Sequence, residues 1–224
     1  MEKDFIYKLY LPNKYWIFEG EHEFNINERD ERLLLGDYAH YTFPIKYKEA
    51  LGCRCYYDIN DEEKKYFLLT HFMKTNHGGR NFAVSDEVIE LLLKNNITGW
   101  KTYPVEVYTQ EDELIRGFNG FTITGRCGAV KPSLCEEVVI PPTYKGGPSV
   151  PGYKGDPLDL DTWDGSDIFI LEHTVYKYAT AKVKNVLSKL KNSNVAFEDI
   201  ADRLIPQKDA IWKAPMGVAI NELR

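Results

Sequence analysis

FAVSDEVIELLLKNNITGW, from Phe82 to Trp100, decides the fold. FAV has strand character. Ser85 is a helix N-cap, because its hydroxyl can accept from an orphan N–H of the first turn. Asp86 and Glu87 complement the dipole there. Val88, Leu91, Leu92 and Leu93 form an apolar helical stripe, and Asn95 and Asn96 stop the helix. KTYPVEVY, from Lys101 to Tyr108, then reads as a strand, with Pro104 marking its edge or start. Trp100 and Tyr103 are expected as core residues of that strand.

YATAKVKNVLSKLKNSNVAFEDI, from Tyr178 to Ile200, repeats the pattern. Thr180 stands where Ser85 stood. Val183, Val186 and Leu187 match Val88, Leu91 and Leu92 in spacing. Asn192 and Asn194 close the helix, and VAFEDI reads as the strand after it. The echo fits a partial internal duplication; it also fits two unrelated capped amphipathic helices.

Elsewhere the chain is strand-like. FIYKLYL (Phe5 to Leu11), YYDIN and YFLLTHFM make residues 1–75 a strand-rich N-terminal part. NINERDERLLLGDY (Asn25 to Tyr38) reads as a loop or a short helix. TQEDELIRGFNGFTITG reads as a hairpin. Residues 130–158, with IPPTYKGGPSVPGYKGDP, are rich in Pro and Gly and predict a long irregular surface loop. The C-terminal DAIWKAPMGVAINELR is expected to pack back on the body. Strands and helices do not alternate regularly, which argues against a doubly wound parallel sheet. The expectation is one globular α+β domain over 1–224. It has a mixed or largely antiparallel sheet and two capped amphipathic helices.

Composition bounds the function. The 224 residues include 28 Lys and Arg against 34 Asp and Glu, a net charge of -6. Fifteen Tyr, 11 Phe and 4 Trp exclude a disordered chain. A basic protein partner suits this charge better than nucleic acid or an anionic membrane. The N-terminus lacks the apolar core of a signal peptide, and no apolar run reaches the length of a membrane span. Cys53, Cys55, Cys127 and Cys135 are too sparse for a disulfide scaffold and fit free thiols in a reducing cytosol. The expected localisation is cytoplasmic.

Motifs of chemistry are few. GFTITGRC (Gly120 to Cys127) spaces its glycines like a phosphate-binding loop. However, Arg126 and Cys127 replace the required Lys and hydroxyl, so Gly125 and Gly128 are expected in a tight turn. HGGR (His77 to Arg80) reads as a plain loop, or as a backbone anion cradle. His22, His40, His71, His77 and His173 form no zinc spacing, and no serine-hydrolase elbow occurs. DPLDLDTWDGSDIFI (Asp156 to Ile170) concentrates Asp159, Asp161, Asp164 and Asp167 around Trp163. Three readings stay open for this block: Asx-turns capping backbone N–H groups around Gly165, a divalent cation site, or an acidic, aromatic surface for a basic partner.

Three stretches, ITGWKTYPVEVY with FTITGRCG, the DLDTWDGSDIFI block, and the helix ending NVAFEDI, together resemble a bacterial family. It comprises the immunity proteins of polymorphic toxin systems, in or beside the immunity family numbered eleven. The resemblance covers roughly residues 81–200. It implies a non-enzymatic antitoxin that binds and neutralises a cognate toxin protein, with no cofactor, no metal and no catalytic set to carry over. On this reading Asp159, Asp161, Trp163, Asp164 and Asp167 are the expected toxin-facing residues. The alternative is a metal-dependent enzyme or binding module built on the Asp159–Asp167 carboxylates.

Overall fold

The computed structural model describes residues 5–12, 17–20, 44–49, 70–75, 81–109, 111–128, 130–172, 174, 176–191, 193–207 and 210. Several expectations fall outside these: the segment 25–38, YYDIN, Cys53 and Cys55, HGGR, four of the five histidines, Asn192 and nearly all of the C-terminal stretch.

The described strands run, in chain order, β1 (Ile6–Tyr10), β2 (Ile17–Gly20), β3 (Ile45–Glu49), β4 (Phe72–Thr75), β5 (Asn81–Ser85), β6 (Trp100–Tyr103), β7 (Val105–Tyr108) and β8 (Leu114–Ile115). They continue with β9 (Phe118–Ile123), β10 (Gly125–Cys127), β11 (Glu136–Ile140), β12 (Val150–Lys154), β13 (Ile168–Leu171), β14 (Lys177–Thr180), β15 (Ala196–Asp199) and β16 (Leu204–Pro206). Helix α1 spans Asp86–Lys94 and α2 spans Ala181–Leu187. Three sheets result, ordered β6-β9-β5-β4-β2-β3-β7-β8, β10-β13-β14-β1-β15 and β11-β12-β16. Pairings β2–β4, β3–β7 and β10–β13 are parallel and the others antiparallel. The fold is therefore mixed α+β with two short helices.

The two capped helices sit in units of identical topology. In the first, β4 and β5 pair, α1 crosses, and β6 returns with β9 between it and β5. In the second, β13 and β14 pair, α2 crosses, and β15 returns with β1 between it and β14. The register agrees as well. Phe72 lies opposite Val84, the residue before Ser85; Ile168 lies opposite Ala179, the residue before Thr180. Gly99 (φ 88°) and Asn194 (φ 44°) take positive φ at the same distance from their caps. Residues 1–75 thus supply strands to both large sheets.

Helix α1 ends as its sequence asks. Asn96, at φ 50°, turns left-handed. The N–H of Ile97 then donates to Leu92 O, and that of Asn96 to Leu93 O, both at 3.0 Å. This is a Schellman closure. Ile97 and Leu92 join Val88, Phe82, Phe121, Ile168, Val183 and Leu187 in the principal core, which both large sheets and both helices share. Alternation of faces explains why IFIL of β13 reads as an unbroken apolar run. Ile168 and Ile170 face this core, while Phe169 and Leu171 face a second one with Cys127, Leu158 and Tyr178.

Three sequence expectations change. KTYPVEVY is two strands, split at Pro104, which has no N–H to continue a ladder. β6 and β7 stand at or next to opposite ends of the eight-strand order, so the sheet curls. Inside the curl the Tyr47 and Tyr103 hydroxyls meet at 2.9 Å. The Tyr103 ring lies over Gly120, where a Cβ would come within 2.1 Å of it. TQEDELIRGFNGFTITG is not a hairpin of its own: β8 pairs with β7, and β9 with β5 and β6, after which the chain passes at Thr124 into β10 of a different sheet. Finally, residues 130–158 carry β11 and β12, which pair over their full length. Gly152 makes this sheet feasible, since a Cβ there would meet Ile140 and the carbonyl of Ile205.

Candidate functional site

ITGW, FTITGRCG and the Asp block meet in space. An open recess of about 320 Å³ is lined by Thr98, Gly99, Thr124, Gly125, Asp164, Gly165 and Ser166. ITGW supplies the first two residues, FTITGRCG the next pair and DLDTWDGSD the last three.

The Asp block is locked in place by its own carboxylates. Asp164 Oδ2 accepts the N–H of Arg126 at 2.7 Å, and the Asp164 N–H donates to Arg126 O at 3.0 Å. Asp164 Oδ1 accepts the Ser166 N–H at 2.9 Å, the Asx-turn around Gly165 (φ 81°). Asp167 Oδ2 accepts from the Thr98 N–H (3.0 Å), the Thr98 hydroxyl (3.2 Å) and Lys182 Nζ (3.1 Å). Its Oδ1 accepts from the Thr180 hydroxyl at 3.1 Å. Asp159 accepts from Lys131 Nζ at 2.9 Å. That hydrogen bond holds the Asp159 carboxyl below its ordinary value and raises the Lys131 ammonium. Trp163 packs on Phe169 at 5.2 Å and donates its indole N–H to Ser166 O at 3.1 Å. Asp161 and Asp164 are exposed, and Asp159, Trp163 and Asp167 half-buried.

The glycines of the recess serve close approach. A Cβ on Gly125 would come within 2.0 Å of Ser166 Oγ and 2.2 Å of Ile168 O; one on Gly128 would meet Thr162. Gly125 and Gly128 are therefore not the tight turn that their spacing suggested. The Gly128 N–H donates to the Thr162 hydroxyl at 2.9 Å. Burial pushes the neighbouring Cys127 thiol up, which keeps it a poor nucleophile. Among the described residues, no three His, Cys, Asp or Glu side chains converge as metal ligands.

A buried network on the far side of the second sheet escaped the sequence reading. Asp156 is fully buried. It accepts from the Tyr178 hydroxyl at 2.9 Å and from Arg203 Nη1 at 2.8 Å. Burial, with Asp156 behind it, pushes the Tyr178 hydroxyl well above its ordinary value. Burial opposes the charge on Arg203, but Asp156 and Glu198 outweigh it and raise that pKa. No local pattern signals this triad, because its members come from three separate stretches.

The second surface of note is the β11–β12 hairpin. Its connection turns at Tyr144–Gly147, where Gly147 N–H donates to Tyr144 O at 3.1 Å and Gly146 takes φ 82°. Gly at that position permits a type II turn. Val139 is 74 % exposed and Tyr144 67 % exposed. Glu136 and Glu137 at the start of β11 are exposed too. Tyr153, Ile205 and Ala210 anchor the base of the small sheet.

Compared with models of known protein families and with curated protein sequences, the chain matches none. No helix among the described residues is long and apolar enough to cross a membrane.

Proposed function

We propose that this protein is a cytoplasmic, non-enzymatic immunity protein that binds and neutralises a cognate bacterial toxin domain. The observation that carries the reading is the β11–β12 hairpin. Val139 and Tyr144 are the two most exposed large hydrophobic side chains among the described residues, and the same hairpin carries the exposed carboxylates of Glu136 and Glu137; apolar and acidic groups on one projecting hairpin support a protein-binding role. The net charge of -6 favours a basic partner. Within the Asp block, Asp161 and Asp164 add exposed negative charge. The resemblance read in the sequence favours the same reading.

The test is co-expression. Affinity capture with the full chain is expected to return one stoichiometric protein partner. Expressed alone, that partner should arrest growth, and co-expression of this chain should restore it. A partner whose toxicity is unrelieved, or the lack of any stoichiometric protein partner, would overturn the proposal.

A further inference from the structure

The six edges of the three sheets are not alike. β8 has two residues, β10 and β16 three, and β6 and β15 four. β16 also ends in Pro206. β11 has five, with no Pro, no Lys and no bulge in its register against β12. Natural sheets blunt their edges with short strands, charged side chains, Pro or bulges, because an open edge templates pairing with another chain. β11 keeps only the charges of Glu136 and Glu137, which repel an acidic strand and admit a basic one. Among the described residues it pairs on one side only.

We infer that β11 is a docking strand: a partner protein adds an extended basic segment to the edge that no described residue pairs. This rests on the immunity reading and specifies how its partner is held. Main-chain hydrogen bonds supply affinity in such strand addition, and alternate side chains supply specificity. The pattern of β11 dictates that of its partner. Glu136 and Glu137 are consecutive, so they project to opposite faces of the sheet. Each calls for a Lys or Arg directly across. Val138 and Val139, the next two residues, call for apolar ones. The incoming strand therefore carries two adjacent basic residues next to two adjacent apolar residues. Val139, 74 % exposed, presents the apolar half of the strand. A second copy of this chain is the poorer occupant, since it brings another net charge of -6 to the contact.

The probe is a pair of fluorescein-labelled ten-residue peptides with a Lys-Lys-Val-Val centre, one in each sequence order, titrated into the full chain by anisotropy. One order is expected to bind saturably. In E136K/E137K its affinity should fall at least ~10-fold, while a Glu-Glu-Val-Val peptide should bind that variant instead. Glu136 stands opposite Lys154, so a slightly lower melting temperature with an unchanged cooperative transition is expected and verifies the fold. Of V138P and V139P, only the one that removes an outward N–H should abolish binding. Failure of both peptides, binding indifferent to charge reversal, or dimerisation of the chain through β11 would overturn the inference. Growth rescue reads the immunity proposal separately, so rescue without peptide binding defeats this inference alone.

Discussion

The hydroxyl of Thr180 donates to Oδ1 of Asp167 at 3.1 Å, although Thr180 stands at the N-cap of α2 and makes no side-chain cap there. Its counterpart Ser85 does cap α1, accepting from the Val88 N–H at 3.4 Å, and also meets His71 Nδ1 at 2.8 Å. His71 and Asp167 are equivalent: each directly precedes its unit's first strand, and its carbonyl accepts the N–H of the cap residue. Two residues beyond the caps, Glu87 faces His71 and Lys182 faces Asp167. The two units keep one triangle with its acidic and basic partners exchanged.

Asp167 is the stronger corner. Asp167→Ala removes the acceptor of the Thr98 N–H and of two hydroxyls, while Lys182 keeps its bond to Asn96 O. A loss of about 2 kcal/mol is expected, read as a lower denaturant midpoint with an unchanged slope. Thr180→Val should cost about 1 kcal/mol and Thr180→Ser almost nothing. If Thr180→Ser costs as much as Thr180→Val, the hydroxyl is not what matters.

Gly125→Ala tests the close approach in the recess. The new methyl would sit against Ser166 Oγ and the Ile168 carbonyl. Overpacking of about 2 kcal/mol or more is expected. Ser166→Gly in the same chain removes one of the two clashes and should recover part of it. A stable single variant would mean that β10 and β13 separate at little cost.

Tyr178 sets an alkaline limit. Its folded pKa lies above the ordinary 10.0, so its contribution is fully present below pH 10.0 and is lost as pH rises towards the folded value. Tyr178→Phe removes the bond to buried Asp156 and should cost about 1–2 kcal/mol at neutral pH. The gap between wild type and variant should narrow in melting curves taken above pH 10. A constant gap would show that Tyr178 does not titrate with unfolding.

Lys131 and Asp159 form an exposed pair with an acid signature. The folded pKa of Asp159 lies below its ordinary 3.8. The pair's contribution is therefore present above that value and disappears as pH falls through the lower folded one. Lys131→Met should lower the melting temperature slightly at neutral pH and not at all below both values. A difference that persists in acid would point to the lysine stem, not its charge.

The sequence made the local features of this fold legible. Ser85, Asn95 and Asn96 announced α1 by chemistry that acts within one turn. The common spacing of Val88 and Val183 from their caps exposed the repeated unit. What it hid was pairing at a distance. TGRCG suggested a turn because Gly usually marks one, whereas Gly125 is there to admit Ser166 and the carbonyl of Ile168. The Pro and Gly of 130–158 masked two strands because their backbone bonds run between β11, β12 and β16, not along the local chain. The Asp block displayed its carboxylates but not their partners, since Thr98, Arg126, Lys131 and Lys182 are brought in by other elements.

β1 has a consequence for how the chain is made. Ile6 pairs with Thr180 and Tyr10 with Ala196. The strand leaves the ribosome well before β14 and β15 and is enclosed on both sides only when both have followed. Its equivalent in the first unit, β9, has partners on either side that are complete before it emerges. High contact order slows folding, so the first unit is expected to form during translation. The second must then wait, holding its central strand open until β15 arrives.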